Sequence, residues 1–197
     1  MNVEPVPLEG PAIRLAPLLP EHAPLLWPQA DPEVFRHTLE WPRDASLEAF
    51  EDWVRYCLTM PASILYGIFI QQTGEAVGIT GYLDIRPAHR GLEIGRTWIA
   101  RSHQGTRVNP ESKYLLLRHA FEALGAVRVQ FKTDLNNLHS QRAIEKLGAQ
   151  REGVLRRYQM RTNGTLRDTV MYSILAEEWP EVKERLEARL AAIPASG

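Results

Sequence analysis

The stretch HQGTRVNPESK, residues 103–113, sets Gly105, the hydroxyls of Thr106 and Ser112, and the cations Arg107 and Lys113 around a segment that reads as the start of a helix. The first amides of a helix have no internal partner, and the aligned peptide dipoles give them about half a unit of positive charge. A glycine beside them lets an anion approach the backbone. The stretch therefore suits a phosphate. It equally suits a well-capped surface helix with nothing bound, and taken alone that is the plainer account. It is not a P-loop, because the Gly-Lys-Thr ending is missing, nor a dinucleotide fingerprint, which needs three glycines. A second polar pair lies in DLNNLHSQRAIEKLG, residues 134–148. Asn137 and Ser140 are three apart and share one face of a helix's first turn, either as functional groups or as an N-cap and a first-turn serine. His103 and His139 flank these stretches as surface or packing residues, and the histidines form no cluster at metal-ligand spacing, so no metal is expected.

These groups need elements to hold them. Residues 109–124 read as a helix: Asn109 suits the N-cap, Pro110 the first position and Gly125 the C-terminal left-handed position, and Leu117, Ala120, Phe121 and Leu124 line one face. Residues 127–133 (VRVQFKT) alternate as a half-buried strand, and residues 137–147 form a short helix ended by Gly148. Upstream, residues 12–18 and 92–100 read as strands, residues 63–71 and 76–85 as a hairpin, and residues 21–30 and 46–60 as helices. Downstream, residues 152–161 and 166–175 flank Asn163-Gly164, a strong hairpin signal, and residues 181–192 close the chain as an amphipathic helix. The order is β-α-α-β-β-β-α-β-α-β-β-α. The central strand–helix–strand step implies a right-handed crossover onto a parallel neighbour, and the hairpins imply antiparallel ones. The expected fold is a single α/β (α+β) domain over residues 1–197, a mixed sheet with helices on its faces. Both polar pairs then follow central strands, and their helix N-termini open on one cleft.

Composition fits a soluble protein able to bury a core: 197 residues, 44% apolar and 24% charged. A formal net charge of −1 argues against nucleic acid or membrane surfaces as partners, which want a basic excess. No apolar run approaches the roughly 20 residues needed to cross a bilayer. The start, MNVEPVPLEGP, lacks the basic and apolar segments of a signal peptide. A cytoplasmic protein is expected. The lone Cys57 excludes an internal disulfide and reads as an inert core residue.

Taken in order, EIGRTWI before the loop, QGTRVNPESK at the helix start, LLLRHAFEALGAVRVQFKTD, then NLHSQRAIEKLGAQREGVLR and the late RDTVMYSIL, the chain resembles the GNAT superfamily of acyl-CoA-dependent N-acetyltransferases, and within it the ribosomal-protein N-terminal (RimJ/RimL-type) branch. The resemblance covers nearly the whole chain. It implies a mostly antiparallel sheet whose central parallel pair splays, with acetyl-CoA as co-substrate. The backbone from Gln104 through Gly105, Thr106, Arg107 and Val108 to Asn109 would hold the pyrophosphate. The edge of the strand at Trp98 and Ile99 would pair with the pantetheine amides, Asn137 would contact that arm, and Ser140 would protonate the departing thiolate. The family loop has Gln or Arg, two residues, Gly, one residue, then Gly or Ala. Here Ser102 and Arg107 depart from it, and Arg107 would either obstruct the phosphate or add a charged contact.

Acetyl transfer by direct attack needs a neutral amine, a polarised carbonyl and alignment. Glu93, at the head of the cofactor strand, is the candidate base, and reads equally as a solvated carboxylate at a strand end. Asp134 and Asp168 read as a turn acid and a partner for nearby arginines. The arginines at 151, 156, 157 and 161 read as a solvated strand face. The acceptor is expected to be a protein N-terminus, with a small amine such as an aminoglycoside or polyamine left open, as is a homodimer through the late strands. The rival reading is a non-catalytic CoA-sensing or protein-binding module on the same fold.

Overall fold

A computed structural model describes residues 1–194. One eight-stranded sheet runs through it: β1 (Leu8–Glu9), β2 (Ile13–Pro17), β3 (Ile64–Ile70), β4 (Ala76–Arg86), β5 (Gly91–Ile99), β6 (Arg128–Asp134), β7 (Gln150–Met160) and β8 (Leu166–Leu175), in the order β1-β2-β3-β4-β5-β6-β8-β7. Every neighbouring pair is antiparallel except β5 and β6. The crossover helix that joins those two makes them parallel, as expected from the strand–helix–strand order.

Among the described residues five α-helices cover the sheet: α1 (Ala23–Leu26), α2 (Leu47–Leu58), α3 (Val108–Arg118), α4 (Leu138–Glu145) and α5 (Trp179–Ala191). The expected helix over residues 21–30 is broken into α1 between two 3-10 turns, Pro20–His22 and Trp27–Gln29. Pro24 and Pro28 each lack the N–H that a continuous helix would use. In α2, Ser46 accepts from the Ala49 amide at 3.2 Å, and Phe50, Trp53, Val54 and Cys57 are buried, as their spacing implied.

The two faces of the sheet carry separate apolar cores. One joins Ile13, Tyr82, Ile94 and Val129 to Leu116, Leu117 and Phe121 and to Trp179 and Leu186 of α5. The other joins Leu65, Ile79 and Trp98 to Phe35, Phe50 and Trp53 beneath α1 and α2. The helix expected over residues 109–124 starts one residue earlier and changes its bonding pattern midway. After Arg118 it continues as a π turn, His119–Ala123. Tyr82 causes a local disturbance there: its hydroxyl donates to the Leu116 carbonyl at 2.7 Å and lies 3.2 Å from His119 Nδ1, competing for the helix ladder. Gly125 then takes φ +65°, the left-handed stop anticipated from sequence. Among the described residues no helix is long and apolar enough to cross a membrane.

Candidate active site

The parallel pairing of β5 with β6 lasts only from Gly91↔Arg128 to Glu93↔Gln130. Beyond that point β6 stays with β8 as far as Asp134↔Thr169, while β5 stays with β4 as far as Gly78↔Ile99. The two strands part, and the edge of β5 from Ile94 to Ile99 faces a cleft of about 720 Å3. A β-bulge contributes to the divergence, with Arg96 at φ +48°. Gly78 lets β4 and β5 approach closely, since a Cβ there would lie 2.3 Å from the Trp98 carbonyl oxygen.

The loop at residues 100–107 closes one end of the cleft. It turns through a short 3-10 segment, Arg101–His103, and then Gly105 at φ +77°, a conformation that costs a residue with a Cβ. A Cβ on Gly105 would meet nothing within 4 Å, so the glycine faces open space. The Gln104 amide is bound to Arg101 O and the Val108 amide to Thr106 Oγ1. Among the described residues the amides of Gly105, Thr106, Arg107 and Asn109 find no acceptor. The expected N-cap at Asn109 does not form: the residue lies inside α3, the N-cap position falls to Arg107 without a side-chain cap, and Thr106 Oγ1 accepts from the Val108 amide at 3.3 Å. Asn109 Oδ1 is instead buried without a partner and lines the cleft.

Two side chains of the loop are engaged away from the cradle. Arg107 pairs with Glu111 and donates to the carbonyls of Leu190 and Ile193 at 2.6 and 2.8 Å. Glu111, only 1% exposed, also accepts from the Ala12 and Ile13 amides at 2.9 and 3.2 Å. Arg107 is thus a clamp between α3, β2 and the end of α5, and its guanidinium neither obstructs the loop nor offers it a charge. The Gln104 side chain donates to the Ile99 carbonyl at 3.0 Å, which steadies the end of β5 and occupies one of its free acceptors.

Glu93, Trp98, Ile99, Gln104, Gly105, Asn109, Asn137 and Ser140 all line the one cleft; Thr106, Arg107 and Val108 do not. Asn137 caps α4, its Oδ1 accepting from the Ser140 amide at 3.0 Å. Ser140 therefore sits at the open N-terminus of α4. Glu93 is 6% exposed and receives Lys132 Nζ at 2.8 Å across the point where β5 and β6 part. Burial disfavours the Lys132 charge, but the Glu93 carboxylate outweighs it and holds the lysine above its ordinary pKa. Gly95 leaves the space over Glu93 Oε1 clear, for a Cβ there would come within 2.9 Å of that oxygen. Asp134 takes Arg161 and the Asn136 amide; Asp168 accepts the Arg157 backbone amide at 2.6 Å rather than an arginine side chain. Burial pushes the Cys57 thiol up to about 11, consistent with an inert core cysteine.

Two cleft residues are placed in ways the sequence did not signal. Lys113 is buried between the strands, donating to Thr80 Oγ1 at 3.0 Å and to Thr97 Oγ1. With no carboxylate beside it among the described residues, desolvation drops its ammonium to about 7. Arg167 on β8 is 7% exposed and its Nε has no partner. Orphaned buried polar atoms are rare. Among the described residues six are unpartnered, and four of them, on Trp53, Trp98, Asn109 and Arg167, belong to residues that border this cleft. Free amides at a glycine turn suit a diphosphate. The bare edge of β5 suits an extended chain bearing amides.

A T. thermophilus protein of known structure, provisionally described as an acetyltransferase, superimposes with a TM-score of 0.91 at 45% identity, covering 96% of this chain and all of that one. Mycobacterium smegmatis RimJ, solved in complex with CoA-disulfide, superimposes at 0.75 with 25% identity over 93% of each chain. The uncharacterized N-acetyltransferase YoaA of Bacillus subtilis (strain 168) is 37% identical over 112 residues, 57% of this chain and 62% of that protein. The matches to YoaA and the other curated relatives thus span about three-fifths of those proteins' length. Residues 12–150 match the acetyltransferase (GNAT) domain, and the chain belongs to that family.

Proposed function

We propose that the protein moves an acetyl group from acetyl-CoA to a primary amine, foremost a protein N-terminal amine, by direct attack in a ternary complex. The observation that carries the reading is the parting of β5 from β6 after Glu93↔Gln130, which opens a cleft that Gly105 and Asn109 line at the mouth of α3, where among the described residues the amides of Gly105, Thr106, Arg107 and Asn109 have no acceptor. Acetyl-CoA supplies the acyl group already activated as a thioester. The chain's own part is mostly placement, which is where acyl transfer gains most of its rate. The amides of Gly105, Thr106, Arg107 and Asn109 hold the pyrophosphate, and the backbone at Trp98 and Ile99 lines up the pantetheine. Glu93 Oε1, with Gly95 leaving its approach open, takes the amine proton. Ser140, at the N-terminus of α4, returns a proton to the thiolate as the C–S bond breaks and the C–N bond forms.

The RimJ/RimL type of acceptor is favoured by the likeness to RimJ over 93% of both chains. The non-catalytic alternative drew on the departures at Ser102 and Arg107. Arg107 is turned to Glu111 and α5, and Ser102 Oγ to His103 Nδ1 at 3.0 Å, so neither side chain fills the cradle. Thermal unfolding with acetyl-CoA tests the reading. Ligand at about 100 times its Kd adds ~2.7 kcal/mol, and a mass-spectrometric screen of N-terminal peptides and small amines then shows the added acetyl. Ser140→Ala lowers kcat and leaves the Kd for acetyl-CoA in place. Absence of any thermal shift at millimolar acetyl-CoA refutes the proposal.

A further inference from the structure

Arg167 lies opposite Gln159 in the β7–β8 hairpin and borders the cleft on the side of β6 and β8, away from the amide cradle on α3. It is 7% exposed, its Nε has no hydrogen-bond partner, and it forms no ion pair among the described residues. The carboxylates nearest to it are already claimed. Asp134 is paired with Arg161, and Glu93 with Lys132. Asp84 also acts on Lys132 but is held by Gln130 and Arg86, so Asp134 and Glu93, both engaged, leave the Arg167 guanidinium without a carboxylate of its own. Burying a guanidinium without an anion is costly. Its planar fork matches a carboxylate with two parallel N–H bonds.

We propose that Arg167 anchors a carboxylate on the acceptor, so that the preferred substrates are primary amines carrying a carboxylate close to the amino group. That carboxylate belongs either to a free amino acid or to an acidic side chain at the start of a peptide. The inference rests on the acetyl-transfer reading for the amine and adds the group that recognises its neighbour.

The test uses matched amines: glycine against glycinamide, and the dipeptide Ala-Glu against Ala-Gln, with the wild-type protein, Arg167→Gln and Arg167→Lys. Wild type acetylates the carboxylate member of at least one pair with a kcat/KM about tenfold higher, carried mainly by KM, as a lost bidentate contact to charge predicts. Arg167→Gln removes the preference, and Arg167→Lys keeps part of it as a point charge. A second readout needs no turnover and no variant activity. In 15N-labelled, CoA-loaded wild type, the Arg167 Nε–H signal, assigned by its loss in Arg167→Lys, moves when the carboxylate amine is added and stays when the amide is added. Response to glycine identifies the free amino acid as the source, and response to Ala-Glu alone identifies the side chain. Equal acetylation of acids and amides, a preference that survives Arg167→Gln, or an Nε–H signal indifferent to carboxylates overturns the anchor while leaving acetyl transfer intact. A signal that moves with no amine acetylated supports the anchor and refutes the transfer.

Discussion

Replacing Lys113 by methionine is expected to stabilise the protein near neutral pH and to do so less as pH rises. The lysine is buried among Thr80, Thr97 and the strands, and desolvation takes its pKa from 10.5 to about 7. The unfolded chain therefore holds a proton on this residue between about pH 7 and 10.5 that the folded chain does not. Stability rises with pH across that window, at up to 1.36 kcal/mol per unit, and is flat below about 7, where both states are protonated. Over the full window the penalty at its acid end is on the order of 5 kcal/mol. Methionine matches the length of the side chain and has no proton to lose. It gives up the two hydroxyl contacts, at ~1 kcal/mol each. The net gain for Lys113→Met is then about 2–3 kcal/mol at pH 7, shrinking to nothing and reversing near pH 10. Urea denaturation of both proteins at pH 7, 8, 9 and 10 isolates this residue, because the difference between the two curves cancels groups they share. Parallel pH profiles, or a variant less stable than wild type at pH 7, refute the account of Lys113 as an uncompensated buried amine.

Other substitutions probe the frame around the cleft. Gly105→Val puts a β-branched residue at φ +77°; calorimetry should show CoA binding lost at a stability cost of about 1–2 kcal/mol, because the side chain itself meets open space. Gly78→Ala drives a Cβ into the Trp98 carbonyl and should cost about 1–3 kcal/mol in chemical denaturation, with weaker CoA binding as β5 shifts. Glu111→Gln strips Arg107 of its buried anion and should destabilise by about 3–5 kcal/mol, read as a drop in the urea midpoint, whereas Glu181→Gln, an exposed partner of Arg185, should change stability by less than about 1 kcal/mol.

The order of elements was readable because each carries a local signal. Alternating Val129 and Phe131 give β6, although Val127, expected on the same inward face, lies before the strand and is exposed; Ser46 marks the start of α2, and Gly125 and Gly148 close helical segments at positive φ. The errors lie where a distant residue overrides local preference. Residues 109–124 scan as one helix from sequence, yet Tyr82, on a strand far away in the chain, enters the ladder at Leu116 and a π turn follows. Asn109-Pro110 has the composition of a helix start. Even so, Glu111 is pulled inward to Arg107 and the β2 amides, so the helix begins at Val108 and Asn109 is carried inside it. Glu111, Ser112 and Lys113 are all buried, and no rule of periodicity puts three consecutive polar residues in a core.

The cleft divides along the same line. A glycine beside a helix start could be read from sequence, because it is a backbone property and backbone geometry is written locally; the amide cradle itself was implied by the family resemblance. What the sequence left ambiguous was where the long charged side chains go. Arg107 looked like a phosphate contact because it sits in the loop, but the anion and carbonyls that claim it come from α3 and from residues 83 and 86 positions later in the chain. Arg167 drew no notice in the sequence; of the four hairpin arginines read there as a solvated face, 151, 156 and 157 are exposed, whereas Arg161 is turned inward to Asp134. Arg167 differs from the exposed arginines because it is buried, and from Arg161 because Asp134 and Glu93 are already bound to Arg161 and Lys132. A charge becomes available to a ligand by being left over after such pairing. That remainder depends on every partner at once, and it appears only when strands from opposite ends of the chain are brought side by side.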